Sequence, residues 1–177
     1  DLLSQAEHGS GMEMALLFTT SKEHAEAVRG ELNRQSKLLH HAGAVAKVLD
    51  ANALVVVRDL DDAAAAVNRI APEHLELIVR DTDSLLAKIR NAGAIFLGPY
   101  SPEPISDYYA GPNHVLPTSG AARYASPLGV YDFRKCSNVV EYTSAAVRAC
   151  APKVDILARS EGFDAHARAV AARVSDK

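Results

Sequence analysis

Four short apolar runs, the first three each followed by a stretch with helical patterning, constrain this chain more than any other feature. They are MALLFTT at 14–20, ALVVVR at 53–58, HLELIVRD at 74–81 and AIFLG at 94–98. Short apolar runs bounded by turn residues read as buried strands, and in the third Leu75, Leu77 and Val79 alternate as strand residues do. Ser21 reads as the N-cap of a helix from Lys22 to about Leu39, and a helical or irregular stretch continues toward Leu49. Asp59 to Asp62 open a second helix through AAAAVNRIA, which Pro72 stops. Asp83 or Ser84 caps a third, LLAKIRN, and Gly93 ends it. Strand and helix in strict alternation predict an α/β fold: a Rossmann-like, mostly parallel sheet flanked by helices. Ahead of it, Leu2, Leu3 and Ala6 give a short helix that Gly9 and Gly11 end.

The texture changes after residue 98. The segment from 98 to 120, GPYSPEPISDYYAGPNHVLPTSG, is rich in Pro, Gly and Ser, which argues against a continuous helix or a central strand. It also holds three Tyr, an Asp and a His, more chemistry than a spacer needs, and long ordered loops are commonly functional. Beyond it, GVYDF and NVVEYT read as a β-hairpin with Arg134, Lys135 and Ser137 between. Thr143 or Ser144 caps a helix that carries Pro152 and ends at Gly162, and Asp164 caps the last helix. We place a domain boundary near residue 128. Residues 1–128 form the sheet-bearing unit, and residues 129–177 form a small hairpin-plus-helix tail. About 50 residues are few for an independent core, so the tail is expected to pack on something, in cis or on a second chain.

Composition excludes several classes. The net charge is −3 with no basic stripe, which argues against nucleic-acid and anionic-membrane partners. No apolar run reaches the roughly 18 residues of a membrane span, and the start shows no signal-peptide pattern. A cytoplasmic setting is expected, or a plastid one if the source is a plant. Cys136 and Cys150 are read as reduced thiols. GSGMEM at 9–14 fails the dinucleotide fingerprint, because its third glycine is absent and no strand precedes it.

Four pairings of histidine with an oxygen-bearing side chain stand out: Gln5 with His8, Glu73 with His74, Asp107 with His114, and Glu161 with His166. Gln5 and His8 are three apart and share a helix face. Imidazole with carboxylate or amide oxygen suits a borderline divalent ion such as Zn²⁺, and adjacent Glu and His can share general-base work. Each residue also has a plainer explanation. Gln5 and His8 could be surface residues, Glu73 a turn acid after Pro72, and Asp107 a helix cap for YYA. His114 could satisfy backbone groups in a crowded loop, with Glu161 and His166 ordinary helix-end residues. No HExxH, CxxC, P-loop or GxSxG pattern is present. Spacing alone does not choose between these readings.

Taken together the blocks say more. DLLSQAEHG, IAPEHLEL, NAGAIFLGPYSPEPISDYYAGPNHVLPTSGAAR, VYDFRK and EGFDAHARAV, in that order, closely resemble the C-terminal part of the histidinol dehydrogenase family. The resemblance implies a Zn²⁺- and NAD-dependent enzyme that oxidises L-histidinol through L-histidinaldehyde to L-histidine. It implies Gln5, His8, Asp107 and His166 as zinc ligands, and Glu73 and His74 as the acid/base pair. It implies substrate contacts from His114 and Glu161, together with Gln5, His8, His74, Asp107 and His166. It further implies a homodimer whose tail completes the partner's site, and an NAD-binding region that this chain does not contain. The chain alone is therefore expected to lack dehydrogenase activity. The alternative, from a different class, is an inactive fragment or paralogue serving as a zinc- or imidazole-binding or dimerisation module.

Overall fold

A computed structural model describes residues 1–8 and 10–174, so Gly9, read above as a helix stop, lies outside the described residues. The chain divides into two compact units, Asp1–Asp132 and the segment from Phe133 onward.

In the first unit, α1 (Leu2–Ala6) is followed by β1 (Leu17–Thr19), α2 (Lys22–Gln35) and α3 (Ala42–Ala51). Then come β2 (Leu54–Val56), α4 (Leu60–Ile70), β3 (His74–Leu77), α5 (Thr82–Leu86), β4 (Ala94–Leu97) and α6 (Glu103–Tyr108). The strands fall where the apolar runs place them, and both ladders are parallel. β1 pairs β2 with Leu17 opposite Leu54, and β3 pairs β4 with His74 opposite Ala94. Among the described residues they form two separate two-stranded sheets and not the one expected sheet. β1 meets the β3 side through packing instead: Phe18 lies against the cluster of Ala64, Val67, Leu75, Leu77 and Leu85.

Local chemistry accounts for the helix ends. The Ser21 hydroxyl accepts the His24 N–H, and Asp59 accepts that of Asp62, two side-chain N-caps of the preferred type. The α5 cap is Asp81, two residues before the expected Asp83. Its carboxylate accepts the Ser84 N–H at 3.1 Å, and α5 stops at Leu86, short of Gly93. Asn68 orders what lies between, accepting from the amides of Arg90 and Asn91 and donating to the Lys88 carbonyl. These bonds deliver the chain into β4. α2 likewise ends at Gln35, before a 3-10 turn at Ser36–Leu38.

α4 ends on Ala71 in the left-handed region, φ 53°, with its N–H donating to the Val67 carbonyl at 2.7 Å. That reversal sends Pro72 and Glu73 straight into β3. Gly93 makes the matching turn into β4. A Cβ there would lie 2.6 Å from the Glu73 carbonyl oxygen, closer than any side chain permits.

The second unit holds α7 (Ser144–Ser160) and α8 (Asp164–Ala171). Thr143 caps α7 as expected, accepting the Ala146 N–H. Phe163, not Asp164, occupies the N-cap position of α8. The expected hairpin is absent among the described residues. Val130–Phe133 is a 3-10 turn, and 134–143 carries no regular structure. Val139 and Val140 are 92% and 77% exposed. An apolar alternation becomes a strand only when something covers its face, and a lone two-stranded hairpin is marginal in water.

Candidate functional site

The site is built on β3. Leu75 and Leu77 point into the core against α4 and α5, so the alternation of the strand turns His74 and Glu76 to the opposite face. α6 lies against that face and brings two carboxylates. Glu103 and Asp107 are four apart, one helical turn, and share a side of the helix. One ligand atom from each of His74, Glu103 and Asp107 lies within 4.8 Å of the others. His74 Nε2 is 3.9 Å from Glu103 Oε1. α1 brings the third element. Ala6 packs with Val45 and Val48 of α3, and this anchoring sets Gln5 so that its Oε1 lies 3.3 Å from His74 Nδ1. Phe96 of β4 flanks the ring, its centroid 6.1 Å away.

Gln5 Oε1 can only accept, so Nδ1 of His74 is the donor in this bond and Nε2 is the nitrogen left on the other side of the ring. That Nε2 is buried and has no hydrogen-bond partner, and neither has Asp107 Oδ1. Two unpartnered buried polar atoms this close call for a hydrogen-bonding group or a cation beside them, since a buried unpaired polar atom is costly. The residues present therefore fit a divalent ion. His8 is exposed and lies outside that group. Its Nδ1 lies 3.1 Å from the Ser4 carbonyl one turn back, which leaves Nε2 as the metal-competent nitrogen. Burial pushes the Glu103 carboxyl above its ordinary value. His74 opposes the rise, the Asp107 charge adds to it, and His8 opposes it again. His8 is thus within electrostatic reach of the same carboxyl.

The other sequence candidates are distributed as follows. Glu73 precedes β3, half-buried, and its carbonyl accepts the Ala94 N–H at 2.8 Å. Asp107 sits inside α6 and does not cap the turn that follows. His114 is exposed in the loop after α6. Glu161 and His166 belong to the second unit, where both are exposed. Glu161 is the C-cap of α7, and the His166 ring lies 5.1 Å from that of Phe163.

Sequence reasoning missed Glu103. It has no neighbouring histidine and follows Pro102 in a segment read as loop. The signal was there in Pro104, a proline in the first turn of a helix, and in the four-residue spacing from Glu103 to Asp107.

An α/β unit that brings one imidazole and two carboxylates together, with an amide on the far side of the ring, defines a protein with a candidate metal and acid–base site. The sequence model of histidinol dehydrogenase matches residues 1–174, and the chain belongs to that family. It is 49% identical to a histidinol dehydrogenase of Halalkalibacterium halodurans, a match that covers 100% of this chain and 42% of the relative. It is 51% identical to one of Oleidesulfovibrio alaskensis, covering 99% and 40%. A crystal structure of histidinol dehydrogenase from Elizabethkingia anophelis superposes with a TM-score of 0.88 at 32% identity, covering 98% of this chain and 40% of that one. The chain thus spans about 40% of the length of the relatives it matches.

Proposed function

We propose that this chain carries the metal-ligating and acid–base part of an enzyme that oxidises L-histidinol through L-histidinaldehyde to L-histidine with NAD⁺. The observation that carries the reading is the pair of unpartnered buried atoms, His74 Nε2 and Asp107 Oδ1, with Gln5 on the opposite nitrogen of the ring. Gln5, His8 and Asp107 would hold Zn²⁺, with His166 as the ligand from the tail, and Gln5 Oε1 would leave His74 Nδ1 for the ion. The ion would act as a Lewis acid and a template for the substrate amine and imidazole.

The protein groups move the protons. In the first oxidation His74 Nε2 takes the hydroxyl proton while the carbinol hydride leaves for NAD⁺, a task a neutral imidazole suits near pH 7. In the second, Glu73 takes a proton from the water that adds to the aldehyde, and the hydrate gives its hydride to a second NAD⁺. His114 and Glu161 bind the substrate. NAD is bound by a part of the protein that this chain does not contain, and the chain alone turns over no histidinol. The working form is a homodimer in the cytoplasm, with residues 129–177 forming the tail domain that completes the partner's site.

Zn²⁺ competition against a chromophoric chelator tests the reading. The chain should bind the ion, and His8→Ala and Asp107→Ala should each weaken it on the order of tenfold or more. L-Histidinol should bind the zinc-loaded chain and not the metal-free one. Equal zinc affinity in the parent and Asp107→Ala would sink the assignment.

A further inference from the structure

We infer that Glu76 is a positioning residue: it latches the first turn of α6 to β3 and so sets how Glu103 and Asp107 face His74. The inference rests on the proposed function only for what the positioned residues do.

β3 is the fixed partner. Leu75 and Leu77 hold it to the core, and β4 pairs it over its whole length. From its other face two side chains two residues apart reach α6. His74 Nε2 comes to 3.9 Å from the Glu103 carboxylate, and Glu76 Oε1 accepts the Glu103 backbone N–H at 3.1 Å. The second contact is a charge-assisted hydrogen bond to a half-buried amide.

α6 needs that bond. It is six residues long, its N-cap is Pro102, and no side chain of its own caps it. A helix so short does not hold itself in water, and the first N–H groups of any helix lack internal partners. In α2, α4 and α5 a local Ser or Asp fills this need. In α6 the acceptor comes from the strand that carries His74. The capping bond and the site geometry are therefore one connection. Releasing Glu76 lets the first turn of α6 move, and Glu103 and Asp107 move with it.

The test uses the full chain and the variants Glu76→Gln, Glu76→Ala and Asp107→Ala, with two readouts. The first is hydrogen exchange at the Glu103 amide, followed by NMR without metal. Protection is expected in the parent and in Glu76→Gln, whose amide oxygen still accepts. Exchange at least tenfold faster is expected in Glu76→Ala, with the amides of Leu75 and Leu77 unchanged. The second is Zn²⁺ affinity by chelator competition. Glu76→Ala should weaken it about tenfold, Glu76→Gln should restore it, and Glu76→Ala should add nothing in the Asp107→Ala background. A Glu103 amide unprotected in the unmutated chain, or equally protected in Glu76→Ala, overturns the latch. So does an undiminished effect of Glu76→Ala when Asp107 is already gone. If Glu76→Ala fails to fold, the parent and Glu76→Gln exchange rates still decide. A parent chain that binds no Zn²⁺ counts against the proposed function alone, because the exchange readout needs no metal.

Discussion

Glu103 is 8% exposed, and its neighbours disagree about its charge: the Asp107 carboxylate disfavours ionisation, and His74 and His8 favour it. Burial and Asp107 win, so the folded-state pKa lies above the ordinary 4.5. An acid with a raised folded pKa keeps its proton longer in the folded chain than in the unfolded one. Its contribution to stability therefore falls as pH rises from the unfolded value through the folded one. Glu103→Gln should remove that decline. Metal-free thermal melts should show parent and variant alike near pH 4 and the variant higher at pH 8. A variant that melts lower at both would reverse the assignment. Glu13 shows the opposite sign. Hydrogen bonding from Ser10 leads the causes that lower its carboxyl to about 2, and its oxygens accept the amides of Ser10 and Gly11 at 2.7 and 2.8 Å. What this turn adds is present above pH 4.5 and lost as pH falls toward 2. A carbon-13 titration of the Glu13 carboxyl should give a midpoint near that lower value. Neither residue could be ranked from sequence. A glutamate four residues from an aspartate is ordinary until packing removes the water around it.

At the level of elements, periodicity carried far and stopped at a definable point. The four strands were legible because apolar runs between turn residues have few other uses. The N-caps Ser21 and Thr143 were legible because capping is local. The sheet was not, since strand pairing depends on contacts that no window of residues contains. Two ladders formed where one sheet was expected. The hairpin at 129–143 failed for a related reason: its alternation is real, and nothing among the described residues covers it. α6 was hidden because its cap comes from another element. The β3–β4 ladder makes the sharpest demand on sequence. Gly93 donates to the Pro72 carbonyl at 2.9 Å, and its Cα sits against the Glu73 carbonyl. Gly93→Ala forces these apart and should cost about 1–3 kcal/mol, the usual range for an overpacked site. Leu75→Ala, on the core face of the same strand, should cost about 2–5 kcal/mol by cavity formation. Urea unfolding followed by far-UV circular dichroism measures both. A Gly93→Ala chain as stable as the parent would show that β4 can shift without loss.

At the scale of the whole molecule the two units are unequal. The first has two buried clusters. Among the described residues of the second, the buried side chains are Ala158 and Ala167, one on each of the packed helices α7 and α8. Two alanines cannot offset the chain entropy of ordering some forty residues. Val139, Val140 and Tyr142 meanwhile stay exposed. A unit with that balance gains by burying its apolar side chains against another surface. Tail packing was an expectation from length, and the exposed valines are side chains that such a contact would cover. If the surface belongs to a second copy, association and metal content should be linked through His166. Sedimentation of the chain with Zn²⁺ should give a dimer holding about one ion per chain, in line with a four-ligand site completed by a fourth donor. His166→Ala should release the ion and leave the dimer in place, because the apolar contacts do not include the imidazole. A monomer that binds zinc without His166 would place the whole ligand set in the first unit. In that event Glu103, the buried carboxylate already facing His74 and Asp107, becomes the fourth ligand to test.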